Sequence, residues 1–326
     1  MELTGNPFVD VGFGIAAARM GHHSVQLLSS DDLQQAVGAL HRAVAKLKDF
    51  KILASFWVNN PFMGKNLGQK PRFVSFLNGL ETGSLPTRAG HCQVCGRAPV
   101  ISQEMDRCWF PLAAGRDSDP CTLPGLGGKV LCADCLSAVV VLPLGCRSCP
   151  DGPYFVHVTE SDLQVQAASE GVGSLNAALA ANTGRQISHN TILRGRVALL
   201  DIASGSVLWD HSQLGHVEHI PPSGATMMSF SNRGTGPSFN QLHLPAEALE
   251  FFGAIAEAGL RCIFLAWAQE IQRFAGRTKR RFLLDELCGD VEERRSLGPL
   301  LFALVRARKA GRPQKEECKV LETVSY

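Results

Sequence analysis

Two short cysteine pairs constrain this chain more than anything else in it: His91-Cys92-Gln93-Val94-Cys95-Gly96, answered by Leu131-Cys132-Ala133-Asp134-Cys135-Leu136. Eight of the eleven cysteines fall between residues 91 and 150, among many Gly and Pro, which is the composition of a small insert without its own apolar core. Such a segment needs a staple. A two-residue spacer lets both sulfurs of a pair sit on one tight turn facing one ion, and two such turns complete the thiolate tetrahedron that structural zinc prefers. Gly96, directly after the first pair, suits a knuckle whose backbone turns through positive φ. A third pair, Cys146-Arg147-Ser148-Cys149, leaves other groupings open. The last two pairs could form a compact ribbon, Cys108 and Cys121 could serve a second ion, and His91 is a spare ligand. The rival to metal is a thiol oxidoreductase, which needs a single CxxC at a helix N-terminus after a strand.

The opening MELTGNPF has no basic stretch leading into an apolar run, and the apolar run from Ala138 to Leu144 is far short of the roughly 20 residues that span a bilayer. No membrane association and a cytoplasmic location are therefore expected, and in a reducing compartment clustered cysteines point to metal or redox chemistry and away from disulfides. Four thiolates leave a zinc ion no open position for water or substrate, so the site reads as structural. HExxH, the deaminase pattern, GxSxG, GxxxxGK[ST] and a complete GxGxxG are all missing from the sequence, with Gly12-Phe13-Gly14 holding only two glycines of the last. His211, His216 and His219, near Asp210 and Glu218, would not share one face of a strand and read as ordinary surface polarity. The chain is not expected to be an enzyme.

At 326 residues and 45% hydrophobic content the chain can bury a substantial core, and its net charge of +2 excludes no class of partner. The fold class expected is α+β, in four parts. Residues 1–90 form a mixed region, 91–150 the zinc-ribbon-like four-cysteine insert, 151–275 strands followed by a long helix, and 276–326 a basic helical end. In the first part a Pro-bearing turn at Asn6-Pro7 leads into residues 11–15. Ser29 and Ser30 are caps, Asp31 and Asp32 suit the helix dipole, and Leu33, Val37, Leu40, Val44 and Leu47 make one apolar stripe, so a helix follows there. Residues 52–58 read as a short strand, and Gly64 to Arg72 as an exposed basic loop. Further on, strands are expected over 154–158, 197–209, 216–220 and 226–230, with helices over 163–181 and from Pro245 to Phe274. From Arg273 onward the chain is rich in Arg and Lys.

With catalytic constellations absent, binding remains. The 59–72 segment carries Asn59, Asn60, Lys65, Asn66, Gln69, Lys70 and Arg72, donors of the kind that reach phosphates and groove base edges. Ser231-Asn232-Arg233-Gly234 is a second polar turn. Together with the basic end they favour nucleic acid.

Thr4-Gly5-Asn6-Pro7-Phe8-Val9-Asp10, the CxxC pairs at 92/95 and 132/135, and Ser229-Phe230-Ser231-Asn232 followed by Leu242-His243-Leu244-Pro245 resemble, in the same order, the large subunit of type I-B CRISPR Cascade. This is the Cas-eight family labelled by its CXXC-CXXC region, and the resemblance spans residues 4 to roughly 275. It implies a noncatalytic subunit of a CRISPR RNA-guided surveillance complex, in which guide pairing reads the target and protein reads the short flanking motif (PAM) on double-stranded DNA and helps open it. It further implies association with backbone, hook-binding and small subunits and with an effector nuclease-helicase or transposition proteins. It assigns the metal to Cys92, Cys95, Cys132 and Cys135. Family members commonly run longer and end in a helical bundle, so either a separate small subunit supplies that bundle or this is a reduced variant. A free-standing zinc-containing DNA-binding regulator is the alternative from another class.

Overall fold

We analysed a computed structural model of the chain, which describes residues 1–46, 70–102, 130–145, 147–149, 152–180, 224–231, 238–244 and 246. The chain divides into two compact units, Met1–Arg194 with Ala225–His243, and Gly195–Gly224 with Leu244–Tyr326. Nearly all described residues belong to the first.

Helix α1 (Pro7–Met20) runs through the middle of that unit, with Phe8 to Ala17 all buried. Its apolar residues go right round the helix, as a helix covered on every side requires. Asn6 starts it, with Oδ1 accepting from the amides of Phe8 and Val9 at 3.1 and 3.3 Å, while Pro7 occupies a first-turn position that needs no amide donor. Gly21, at φ 76°, ends it. Helix α2 (Ser30–Lys46) follows a single 3-10 turn at Val25–Leu27, with Leu33, Val37, Leu40 and Val44 turned into the core. Ser29 and Asp32 cap it reciprocally: Ser29 Oγ accepts from the Asp32 amide at 3.1 Å, and Asp32 Oδ2 accepts from the Ser29 amide at 2.9 Å. Helix α3 (Lys70–Glu81) lies against α2 through Phe73, Phe76, Leu77 and Leu80.

A two-stranded ribbon comes next, β1 (Thr87–Arg88) paired antiparallel with β2 (Val100–Ile101), and the first cysteine pair sits between its strands. Helix α4 (Ala133–Val141) is buried along most of its length and runs into a 3-10 turn at Leu142–Leu144. The sheet has the order β3 (Arg147–Cys149), β4 (Gly152–His157), β5 (Ala225–Ser231), β6 (Ser238–Leu244), antiparallel from β3 to β5. Helix α5 (Ser161–Ala180) links β4 to the chain beyond and packs on α1. One apolar core unites α1, α2, α3, α4 and α5 with β2 and Phe155 of β4, and it includes Cys92, Cys132 and Cys135. Phe8 and Phe155 meet edge to face with ring centroids 5.3 Å apart. The cysteine segment thus borrows its core from the helices beside it.

Helices and small antiparallel sheets agree with the α+β expectation, and α2, β4, β5 and α5 lie where the sequence places them. Three local readings change. The Asn6-Pro7 turn is a helix cap. Gly12 and Gly14 serve close helix approach: a Cβ on Gly12 would collide with the Ala138 carbonyl of α4, and one on Gly14 would come within 2.8 Å of the Gln164 carbonyl of α5. Of the expected basic loop, Lys70, Pro71 and Arg72 instead form the first turn of α3, where proline costs no hydrogen bond, and residues 64–69 lie outside the described residues. The strands expected at 52–58, 197–209 and 216–220, the three histidines beside the last, the helix from Pro245 and the basic end lie outside the described residues. Among the described residues no helix is long and apolar enough to cross a membrane.

Candidate metal centre

The four sulfurs of Cys92, Cys95, Cys132 and Cys135 lie within 4.8 Å of one another. Cys95 Sγ and Cys132 Sγ are 3.6 Å apart. Zinc bound at about 2.3 Å by four sulfurs in a tetrahedron spaces them about 3.8 Å apart, so the set matches that geometry with small adjustments.

Different local structure delivers each pair. Cys92 and Cys95 sit on a knuckle closed by Gly96 N–H donating to the Cys92 carbonyl at 2.9 Å and Cys92 N–H donating to the Arg97 carbonyl at 2.8 Å. Gly96 has φ 72°, the conformation expected of it. The second pair is not on a tight turn. Cys132 is the N-cap of α4, its sulfur accepting from the Cys135 amide at 3.5 Å, and Cys135 stands in the first helical turn. A helix start places residues three apart on one face, so it achieves what a second knuckle would. The halves are joined by Gln93 N–H donating to the Val130 carbonyl and Ile101 N–H donating to the Leu131 carbonyl, both at 2.9 Å, and by Val130 N–H donating to Gln93 Oε1 at 3.3 Å.

The donor set suits a divalent cation. Cys92 is held far below a thiol's ordinary range, chiefly because the Cys132 and Cys135 side chains hydrogen-bond to its thiolate, against the pull of burial. For Cys132 the hydrogen bond with Cys135 lowers the value, but the bond with Cys92, burial and the charge on Cys92 outweigh it and push the thiol up to about 12. Cys135 is pushed up further, first by Cys132 and then by Cys92 and burial. Packed this closely, one thiolate raises the cost of ionising the sulfurs beside it. A cation among the sulfurs is what allows all of them to ionise together.

Cys132 also occupies the helix N-terminus where a thiol oxidoreductase carries its nucleophile, a site that activates a sulfur by lowering its pKa. Here that sulfur stands among three others within 4.8 Å, whereas a redox pair presents one CxxC alone. His91 is outside the ligand set, since its exposed ring donates through Nδ1 to the Gly96 carbonyl at 3.0 Å and so braces the knuckle. Beside the cluster Arg97 reaches Asp134 at 3.6 Å. Cys149 belongs to β3, and Cys146, Cys108 and Cys121 lie outside the described residues.

The chain matches no family model, no curated protein and no solved structure.

Of the residues expected to touch nucleic acid, Lys70 and Arg72 stand in the first turn of α3, with Arg72 exposed. Asn59, Asn60, Lys65, Asn66, Asn232 and Arg233 lie outside the described residues. Sequence reasoning missed one polar cluster. Asp10, on the buried helix α1, accepts through Oδ1 from the Thr4 amide at 2.6 Å and the Thr4 hydroxyl at 2.8 Å. Its Oδ2 accepts from the Gly5 amide at 2.9 Å and from His157 Nε2 at 3.2 Å. Four donors thus meet one carboxylate that is 1% exposed. A lone acid within the apolar stretch Phe8 to Ala17 was the available signal, because a buried charge must be met by donors.

Proposed function

We propose that this chain is a noncatalytic, zinc-stapled, nucleic-acid-binding subunit, the large subunit of a type I-B-like Cascade. The staple is carried by one observation, the convergence of Cys92, Cys95, Cys132 and Cys135 to within 4.8 Å. With a thiolate at every corner the metal keeps no position for substrate, and its task is to fix the knuckle to the start of α4. Zinc is the ion favoured by an all-sulfur tetrahedral set.

The assignment to a CRISPR RNA-guided complex rests on the ordered resemblance of the Thr4–Asp10 motif, the cysteine pairs and the two later motifs, and on the Asn- and Lys-bearing 59–72 segment. In this role the chain contacts double-stranded DNA at the flanking motif, assists strand opening beside the guide-paired target, and joins backbone, hook-binding and small subunits before an effector nuclease-helicase or transposition proteins arrive. Reconstitution with and without this chain tests it. Target affinity and flanking-motif preference should both fall when the chain is left out, and unchanged values would refute the assignment. Lys65→Ala with Lys70→Ala should weaken binding alike on all sequences and lower the salt slope by about 0.9 for each phosphate no longer neutralised. Tight binding to a defined duplex with no guide RNA would favour the free-standing regulator instead.

A further inference from the structure

We infer that Cys95 is a peroxide-sensitive modification site, and that its oxidation forms a disulfide with Cys132 and releases the metal. The inference rests on the tetrathiolate reading above and asks which corner of the cluster fails first.

The corners are unequal. Cys92, Cys132 and Cys135 are 3%, 6% and 0% exposed, whereas Cys95 is only half-buried. The reason is local: Cys95 is at the outer end of the knuckle, followed by Gly96, and a Cβ built on Gly96 would meet nothing within 4 Å. The neighbouring side chains are engaged elsewhere, His91 with the Gly96 carbonyl and Gln93 Oε1 with the Val130 amide. Of the four residues Cys95 is therefore the one a small oxidant approaches most readily, while packing covers the other three. The Cys132 sulfur stands 3.6 Å from Cys95 Sγ, near enough to trap the product.

Two steps balance. The Cys95 thiolate attacks one oxygen of hydrogen peroxide, an S–O bond forms as the O–O bond breaks, and hydroxide leaves a sulfenic acid. Cys132 sulfur, as thiolate, then attacks Cys95 sulfur, the S–S bond forms as the S–O bond breaks, and a second hydroxide leaves. Two thiolates lose two electrons, peroxide gains them, and two protons taken from solvent complete two waters. Only Cys92 and Cys135 remain as ligands, and two sulfurs do not hold the ion.

The test treats the full-length, zinc-loaded protein with hydrogen peroxide. A chromogenic chelator follows zinc, and mass spectrometry of unreduced tryptic digests follows the sulfurs. Trypsin separates Ala89–Arg97, which holds Cys92 and Cys95, from Val130–Arg147, which holds Cys132, Cys135 and Cys146. The expected result is a cross-link between these peptides, mapped by fragmentation to Cys95 and Cys132, appearing in step with one zinc released. Cys95→His, which keeps a fourth ligand, should retain zinc and slow its release by peroxide at least tenfold. A Cys92–Cys95 disulfide inside the first peptide, or wild-type release from Cys95→His, would overturn the inference. If that variant does not fold, timed alkylation of the wild type decides: Cys95 should label first, and equal labelling of all four sulfurs counts against it. Protein that purifies from zinc-containing medium without zinc would refute the staple itself, whereas zinc-loaded protein oxidised at other sulfurs would refute only this step.

Discussion

The Thr4–Asp10 motif and the cysteine cluster both gather polar groups in a largely apolar setting, yet they are built on opposite principles. In the first the one charge is answered from within: Asp10 receives four donors, and Asn6 caps α1. In the second, four sulfurs converge to within 4.8 Å with no partner of opposite charge among them, a set that could hold a metal ion. A buried polar group is thus informative according to whether the fold supplies its partners. Asp10 works as a structural brace, and the sulfurs form a set that could receive an ion.

The sharpest way to break this contrast is Cys132→Ala, which removes a ligand and the N-cap of α4 together. Zinc content should fall from one per chain to near zero, and the thermal transition should drop more than for any other single change discussed here. Retained zinc would reopen the choice of ligands. A chelator added to the wild type should reproduce the loss of stability, since metal binding energy here is folding energy.

Asp10→Ala should come next, at about 3 kcal/mol, because it strands the buried His157 and removes the acceptor of the part-buried Thr4 and Gly5 donors. Its zinc content should be unchanged, which separates the two regions, and denaturant unfolding gives the measurement. A cost below about 1 kcal/mol would mean that solvent replaces the carboxylate easily. Gly12→Val sharpens the packing side, since added bulk at the α1–α4 contact forces the helices apart at a cost of about 1–3 kcal/mol. His91→Ala should be milder still. Zinc stays bound and stability falls by about 1 kcal/mol, the value of the hydrogen bond to Gly96, and loss of the metal in this variant would promote His91 to a ligand.

The smallest effect concerns pH. Hydrogen bonds from the Ser29 hydroxyl and amide hold the Asp32 carboxyl below its ordinary value of 3.8. A depressed carboxylate contributes stability that is fully present above its unfolded value and vanishes as pH falls through the folded one. Asp32→Asn should therefore flatten the acid limb below about pH 4, by well under 1 kcal/mol at this exposed cap. An unchanged acid limb would assign that limb to other carboxylates.

Sequence reasoning reached some of this and missed some for definable reasons. Helix α2 was legible because one face is apolar and the other is not, so its period shows. Helix α1 was opaque because burial on all sides erases the period, Asn6-Pro7 read as a turn, and its two glycines imitated part of a dinucleotide fingerprint. That CxxC pairs could share an ion was legible from their spacing, but which two pairs was not: Cys146-Arg147-Ser148-Cys149 left other groupings open, and only the resemblance pointed to the four that converge. The N-terminus of α4 was not legible either. Cysteine is not among the usual caps, and its sulfur takes that part here as well as facing the cluster. Pro71 near the start of α3 was a readable first-turn signal that the basic residues around it masked. The Asp10–His157 pair joins positions 147 residues apart, a distance over which no local pattern operates.

Cys95 and Cys132 are 37 residues apart along the chain, so an ion among the sulfurs is also a buckle on a long loop. Closing such a loop is entropically dear once, but lengthening it is cheap: doubling the intervening chain adds only about 0.6 kcal/mol. For a protein engineer that makes the span between the buckle's halves a place to graft a reporter or a foreign domain. The ion would bear the cost of closure, and zinc occupancy would serve as a built-in check that the graft had left the frame intact.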